Sequence, residues 1–325
     1  MTATPPRAAV TLGTRVSNLA RAQTDRVVEL LAAAWPGLVF HVRLIETQGD
    51  RTQASGEPLP EIGGKGLFTL ELERELRDGG IDLAVHSLKD LPTDDSPGMA
   101  IGAVCLRDDT RDCLVARDGA TLADLPRRSV VGTSSLRREA QLRALRPDFE
   151  IRSIRGNVDT RVDKVRRGEY DAAVLAAAGI RRLGLDEAVT EWLEPETILP
   201  APGQGALAVQ CRADDERLRE LVSAIDDPAS RVATTAERAF LRELGGGCAA
   251  PVAARAELVP GRDDELSNSL LQGALRVRMN GLVAAIDGSE VVRVRGEGEA
   301  EDLGGRLARE ALAAGAKRIL DGIHD

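Results

Sequence analysis

Aromatic residues make up only 2% of this 325-residue chain, so its cores must be aliphatic and rich in alanine, although 43% hydrophobic content is ample to build them. Long apolar runs are missing as well. Nothing approaches the ~20 consecutive apolar residues of a membrane span, and residues 1–10 lack the apolar stretch of a secretory signal. Those two absences lead us to expect a cytoplasmic protein with no membrane partner. Cysteine is scarce: Cys105, Cys113, Cys211 and Cys248 form no CxxC pair, which excludes a zinc-ribbon pattern or a disulfide framework and fits a reducing compartment. No metal site is expected. Lysine is nearly absent, with Lys65, Lys89, Lys164 and Lys317 the only lysines among 43 cations. The net charge of −9 argues against general nucleic-acid binding.

What is present is alternation. Residues 9–12, 38–46, 81–85, 129–131, 150–154 and 171–175 have the composition of short strands, and 18–34, 67–77, 136–145 and 160–167 have helical spacing, several of them closed by Gly or Pro. This pattern predicts α/β layers with mainly parallel strands. A faint duplication accompanies it. Gly13-Thr14-Arg15-Val16-Ser17 precedes a helix containing Ala22-Gln23, and Gly132-Thr133-Ser134-Ser135 precedes one containing Ala140-Gln141; residues 80–85 echo 168–174. Two similar α/β lobes with a cleft between them follow, and ligands in such folds sit at the carboxyl ends of strands. From Pro228 the texture changes: a helix over 231–243, strands over 270–279 and 291–294, and a final helix over 302–321 predict a small α+β unit.

The chemistry-bearing residues gather at predicted strand ends. Arg137 and Arg138 follow Gly132-Thr133-Ser134-Ser135 into the first turn of a helix, where cations oppose the helix dipole. A bound anion resolves that conflict, and backbone N–H groups there attract one. Arg155-Gly156-Asn157 with Arg161, then Gly179 with Arg181 and Arg182, repeat the arrangement, and Arg15 and Ser17 hold the equivalent place in the first lobe. Guanidinium forks fit carboxylates and phosphates. Gly63-Gly64-Lys65-Gly66 is not a P-loop, so carboxylates are at least as good a ligand class. In His86-Ser87-Leu88-Lys89-Asp90-Leu91-Pro92, Asp90 is the acid at the mouth of the arginine-rich region. It can stabilise a developing cation or move a proton, or simply pair with a neighbouring base. Cys248 follows Gly245-Gly246-Gly247 and precedes Pro251; the glycines let a large group approach the sulfur, whereas taken singly such a cysteine is a small buried hydrophobe.

Taken together these residues resemble the porphobilinogen deaminase family, also called hydroxymethylbilane synthases. The carriers are Gly63-Gly64-Lys65-Gly66-Leu67-Phe68, the segment from His86 to Pro92, the one from Gly132 to Arg138, Arg155-Gly156-Asn157 with Arg161, Leu199-Pro200-Ala201-Pro202-Gly203-Gln204-Gly205-Ala206, and Gly246-Gly247-Cys248 with Pro251. The resemblance implies an enzyme that condenses four porphobilinogen molecules into linear hydroxymethylbilane with release of four ammonia, acting as a monomer. It implies a dipyrromethane cofactor joined to Cys248 by a thioether, and Asp90 as the catalytic carboxylate. Lys89, Thr133, Ser135, Arg137, Arg138 and Arg161 are implied as cofactor contacts. Arg15, Ser17, Arg155, Arg182, Lys65, Phe68 and Gln204 are implied on the substrate side, Lys65 and Phe68 on a mobile loop and Gln204 near the hinge. The implied fold has two domains resembling type II periplasmic binding proteins, residues 1–104 with 205–225 and residues 105–204, plus a small α+β domain at 226–325.

Two positions depart from the family pattern: Glu61 and Leu70 stand where lysines are usual. The loop around Lys65 is therefore expected to contribute less to chain binding. A carboxylate-sensing binding module is the rival reading; it accounts for two lobes and many arginines but not for Cys248 or Asp90. A phosphate-transferring enzyme lacks its nucleotide motif.

Overall fold

The computed structural model describes residues 9–50, 69–94, 96–245, 250–259 and 275–322. Glu61, Gly63, Gly64, Lys65, Gly66, Phe68, Gly246, Gly247 and Cys248 lie outside these residues.

The chain builds three sheets. In the first, β1 (Ala9–Arg15), β2 (Val39–Ile45), β3 (Leu83–Ser87), β4 (Met99–Val104) and β10 (Leu207–Arg212) lie in the order β2-β1-β3-β10-β4. In the second, β5 (Asp112–Ala116), β6 (Val130–Gly132), β7 (Glu150–Arg152), β8 (Ala172–Ala176) and β9 (Glu191–Leu193) lie in the order β7-β6-β8-β5-β9. The two orders match position for position, as the internal duplication predicts: β1 corresponds to β6, and β3 to β8.

The expectation of mainly parallel strands needs correction. β1 is parallel to β2 and β3, but β10 is antiparallel to both β3 and β4. The second sheet repeats this, with β5 antiparallel to β8 and β9. The cause is topological. β5 and β10 are the strands by which the chain crosses between sheets. Each starts where its neighbour ends, Leu207 opposite Ser87 and Asp112 opposite Ala176, and runs back. The crossing segments 105–111 and 200–206 therefore lie at the carboxyl ends of β1, β3, β6 and β8.

Helices form where caps and apolar faces allow. In α1 (Asn18–Ala34), Ser17 Oγ accepts from Ala20 N, and Val27 and Leu31 are fully buried. α2 (Leu70–Arg77) buries Leu72 and Leu76 and leaves Leu70 exposed. α3 (Leu136–Leu145), α4 (Val158–Arg166) and α5 (Ala177–Arg182) follow β6, β7 and β8. Asp215 caps α6 (Glu216–Ser223), and Asp227 caps α7 (Pro228–Glu243), with Pro228 at the first helical position. Gln23 of α1 donates to Ser87 Oγ at 2.8 Å, while the equivalent Gln141 of α3 donates to Leu199 O at 3.0 Å, so the duplicated glutamines tie each helix to a strand end or crossing segment.

The third unit is an antiparallel sheet of β11 (Val252–Leu258), β12 (Arg276–Ala284) and β13 (Val291–Glu299) packed on α7 and α8 (Ala300–Ala311). Phe240 of α7 is fully buried at its centre with Met279, Val283 and Leu307. The expected single final helix is broken: Gly315 takes φ +114 in a wide turn at Leu312–Ala316 before α9 (Lys317–Asp321).

Candidate active site

The strand ends and crossing segments converge on a cleft between the first two sheets, with a cavity of about 260 Å³. Its wall includes Arg15, Ser17, Lys89, Asp90, Arg138, Arg161, Arg182 and Gln204. Four guanidinium groups and one ammonium thus face a space whose sole lining acid, among the described residues, is Asp90. Thr133, Ser135, Arg137 and Arg155 do not line it. Thr133 is buried, its Oγ1 accepting from Ser135 N at 3.1 Å.

Asp90 sits in a short 3₁₀ turn, Leu88–Asp90, that follows β3. Its carboxylate is exposed and makes no hydrogen bond or ion pair with a described residue. Lys89 is half-buried and donates from Nζ to Gln204 Oε1 at 3.3 Å. Burial pushes the Lys89 ammonium down to about 8; Asp90 opposes this, while the charge of Arg138 adds to it. Gln204 is fully buried. Its Nε2 donates to Thr110 O at 2.8 Å and to Asp112 Oδ1 at 2.8 Å, so one side chain links both crossing segments to the lysine.

Asp112, at the start of β5, is the acid that the sequence reading did not single out. Its Oδ2 accepts from Arg137 Nη1 at 2.8 Å and its Oδ1 from Arg138 Nη2 at 2.8 Å. Burial alone would raise its pKa, but the charges of Arg137 and then Arg138 overcome that and hold the carboxyl well below the usual range. The protein thus supplies its own anion to the two cations in the first turn of α3. Arg137 is spent on this pair and on Leu199 O at 2.7 Å. Arg138 also reaches the cavity, while its Nε, like that of Arg137, is buried without a partner.

The other arginines divide into two kinds. Arg15 is held by Asp50, which also accepts from Thr47 Oγ1 at 2.7 Å, and Arg182 by Asp108. Arg161 has no acid partner among the described residues. Its Nε donates to Gly156 O at 2.8 Å, and burial, reinforced by the charges of Arg138 and Arg155, pushes its pKa down to about 10. The side chain of Arg155 makes no hydrogen bond or ion pair with a described residue. Ser17 spends its oxygen on the α1 cap at 3.3 Å.

His86 is fully enclosed, and burial pushes its pKa down to about 4, so it is neutral at physiological pH. Cys105, Cys113 and Cys211 are buried thiols; burial raises the first to about 11 and the second to about 12. Among the described residues no cluster of three or more His, Cys, Asp or Glu could hold a metal ion, and no helix is long and apolar enough to cross a membrane.

A profile described as "Porphobilinogen deaminase, dipyromethane cofactor binding domain" matches residues 10–220, and one described as "Porphobilinogen deaminase, C-terminal domain" matches residues 232–313. A porphobilinogen deaminase of Roseiflexus castenholzii is 49% identical over 97% of this chain and 100% of its own length. That of Mycolicibacterium paratuberculosis is 47% identical over 97% and 98%. Among solved structures, the methionine-binding protein MetQ covers 68% of this chain and 91% of its own at 12% identity, with a TM-score of 0.42.

Proposed function

This chain belongs to the porphobilinogen deaminase family, a family of transferases in tetrapyrrole biosynthesis with a dipyrromethane cofactor, and from that premise we propose that it joins four porphobilinogen molecules head to tail, releases four ammonia, and frees linear hydroxymethylbilane by hydrolysis. The observation that carries this reading is the cleft in which Arg15, Arg138, Arg161, Arg182 and Lys89 surround one carboxylate, Asp90. Each porphobilinogen brings two carboxylates, so the growing product is a dense polyanion. An acidic protein that binds it needs cations concentrated in one place.

The residues present fit a bound dipyrromethane. Among the described residues Arg161 and Arg155 have no acid partner, the Nε groups of Arg137 and Arg138 are buried without an acceptor, and Asp90 is free to face pyrrole N–H groups. Arg138, Arg161 and Lys89 would hold its carboxylates, with Thr133, Ser135 and Arg137 shaping that wall from behind. When bound, the group supplies the pyrrole carbon to which the first unit is joined, and it remains with the enzyme. Cys248 is the attachment point; the enclosed, protonated state of the three described cysteines supports that choice.

The chain's own residues do the rest. Arg15, Ser17 and Arg182 receive the carboxylates of the incoming porphobilinogen. Asp90 stabilises the positive charge that develops on the substrate's pyrrole nitrogen as ammonia departs, which is electrostatic catalysis by a preoriented group. Gln204 and Asp112 hold Lys89 and Arg138 in place, and the crossing segments act as the hinge. Lys65 and Phe68 complete the substrate side from their loop. We divide the chain at residues 1–104 with 205–225, 105–204 and 226–325, a reading that the membership of the three sheets supports. We assign the protein to the cytoplasm, as a monomer.

The test is direct. Incubation with porphobilinogen should give a linear tetrapyrrole by mass spectrometry and four ammonia per product. Uptake of porphobilinogen without ammonia release would leave only a carboxylate-binding module.

A further inference from the structure

The acids paired with cleft arginines differ in one respect that decides what they can do. Asp112 is 0% exposed and Asp50 only 7%, whereas the Asp108 side chain is 50% exposed. A buried carboxylate cannot leave its guanidinium without remaining desolvated, at a cost far above what a competing ligand offers. A half-exposed carboxylate rehydrates as soon as it turns away, and such a pair is weak. Asp112 and Asp50 are therefore fixed parts of the site, while Asp108 is exchangeable.

The geometry at Asp108 is specific. Arg182 of α5 is largely buried and lines the cavity. Its Nε and Nη2 both reach Asp108 Oδ2, at 2.8 and 2.6 Å, and Nη2 also donates to Gly205 O at 2.6 Å. Asp108 N donates to the same carbonyl at 3.2 Å. Gly205 has φ +90, and a Cβ there would lie 2.6 Å from Asp108 O, so only glycine allows the crossing segments to meet this closely. One acceptor, Gly205 O, is built in and holds the guanidinium in place when the other departs.

We propose that Asp108 is a stand-in carboxylate, occupying Arg182 until a carboxylate of the incoming substrate displaces it. The proposal rests on Arg182 being a substrate-carboxylate site. It means that Asp108 competes with substrate and lowers its affinity, which lets each unit be bound and then passed on.

The experiment uses holoenzyme and two readouts: isothermal titration with a pyrrole that carries the same acetate and propionate but no aminomethyl group, and the KM for porphobilinogen. Asp108→Asn should lower both Kd and KM by about two- to fivefold, the size an exposed ion pair commands. Asp108→Ser, too short to reach the guanidinium, should do the same. Arg182→Gln should raise both, and in that background Asp108→Asn should have no further effect. If Asp108→Asn raises Kd or leaves it unchanged while Arg182→Gln raises it, Asp108 orients the arginine and the proposal fails. A Kd untouched by Arg182→Gln removes the substrate role of Arg182, and the proposal with it. Structural damage would raise KM, so a fall has no such origin.

Discussion

Asp112 Oδ2 accepts from Arg137 Nη1 at 2.8 Å, with the two side chains only 0% and 4% exposed. The pair explains why two arginines can begin α3 against its dipole. Removing one partner of a buried ion pair leaves an uncompensated charge, which costs about 3–5 kcal/mol. Asp112→Asn should therefore lower the unfolding free energy from denaturant titration by that amount at neutral pH, with a lower midpoint. Because the native carboxyl is held below its ordinary value, its stabilisation is present above the unfolded carboxylate pKa and is lost as pH falls through the native one. An unfolding midpoint equal to wild type would show that Arg137 and Arg138 find another anion.

Lys89 titrates within reach of ordinary assays. Its ammonium is pushed down to about 8, so kcat/KM should fall as pH rises through that value and the cleft loses a cation. The stability change has the opposite sign. The unfolded chain holds this proton up to 10.5, so the native state is penalised below about 8 and gains stability as pH rises from there towards 10.5. Lys89→Met should raise the Tm at pH 7 while weakening substrate binding, and Lys89→Arg should move the alkaline fall of kcat/KM upward. An identical pH profile in the arginine variant would assign that fall to another group.

Asp90 makes no hydrogen bond or ion pair with a described residue that its removal would break. Asp90→Asn should keep the Tm of wild type and lose about 10²–10³ in turnover, the usual cost of removing one electrostatic stabiliser. Near-normal turnover in a folded variant removes Asp90 from the mechanism.

Arg161 is the cavity-lining guanidinium with no acid partner among the described residues, so its loss should act on binding more than on folding. Charge-assisted hydrogen bonds contribute about 1.5–3 kcal/mol, and Arg161→Gln should lower kcat/KM roughly tenfold or more. A drop in Tm with unchanged kcat/KM would make it structural.

Much of this was legible in the sequence because strand ends carry their own grammar. Gly156 marked a place where the backbone lines the cavity, Gly13 and Gly132 instead pack against Ile81 and Ile154, and α1 and α3 match their expected bounds in full. The strands β4, β5, β9, β10 and β11 were not recognised. Two of them, β5 and β10, run antiparallel in sheets whose helical alternation suggested parallel order, and the short apolar runs of the five carry no periodicity of their own. Asp112 was missed for a different reason. A lone acid at the start of a strand has no local signature, and only the fold brings it against Arg137 and Arg138, 25 and 26 residues away. The same holds for Glu237 of α7. It is fully buried, binds Arg107 at 2.7 Å and accepts from Gly203 N at 2.7 Å and Ala256 N at 2.7 Å, tying the third unit to both crossing segments.

The covalent cofactor is the central claim, and the intact mass of the purified protein tests it most directly. The wild-type chain should weigh more than its sequence by two linked pyrrole units, and the Cys248→Ser variant should carry no such surplus. A bare chain mass that incubation with porphobilinogen leaves unchanged, or a surplus that survives in Cys248→Ser, would contradict it.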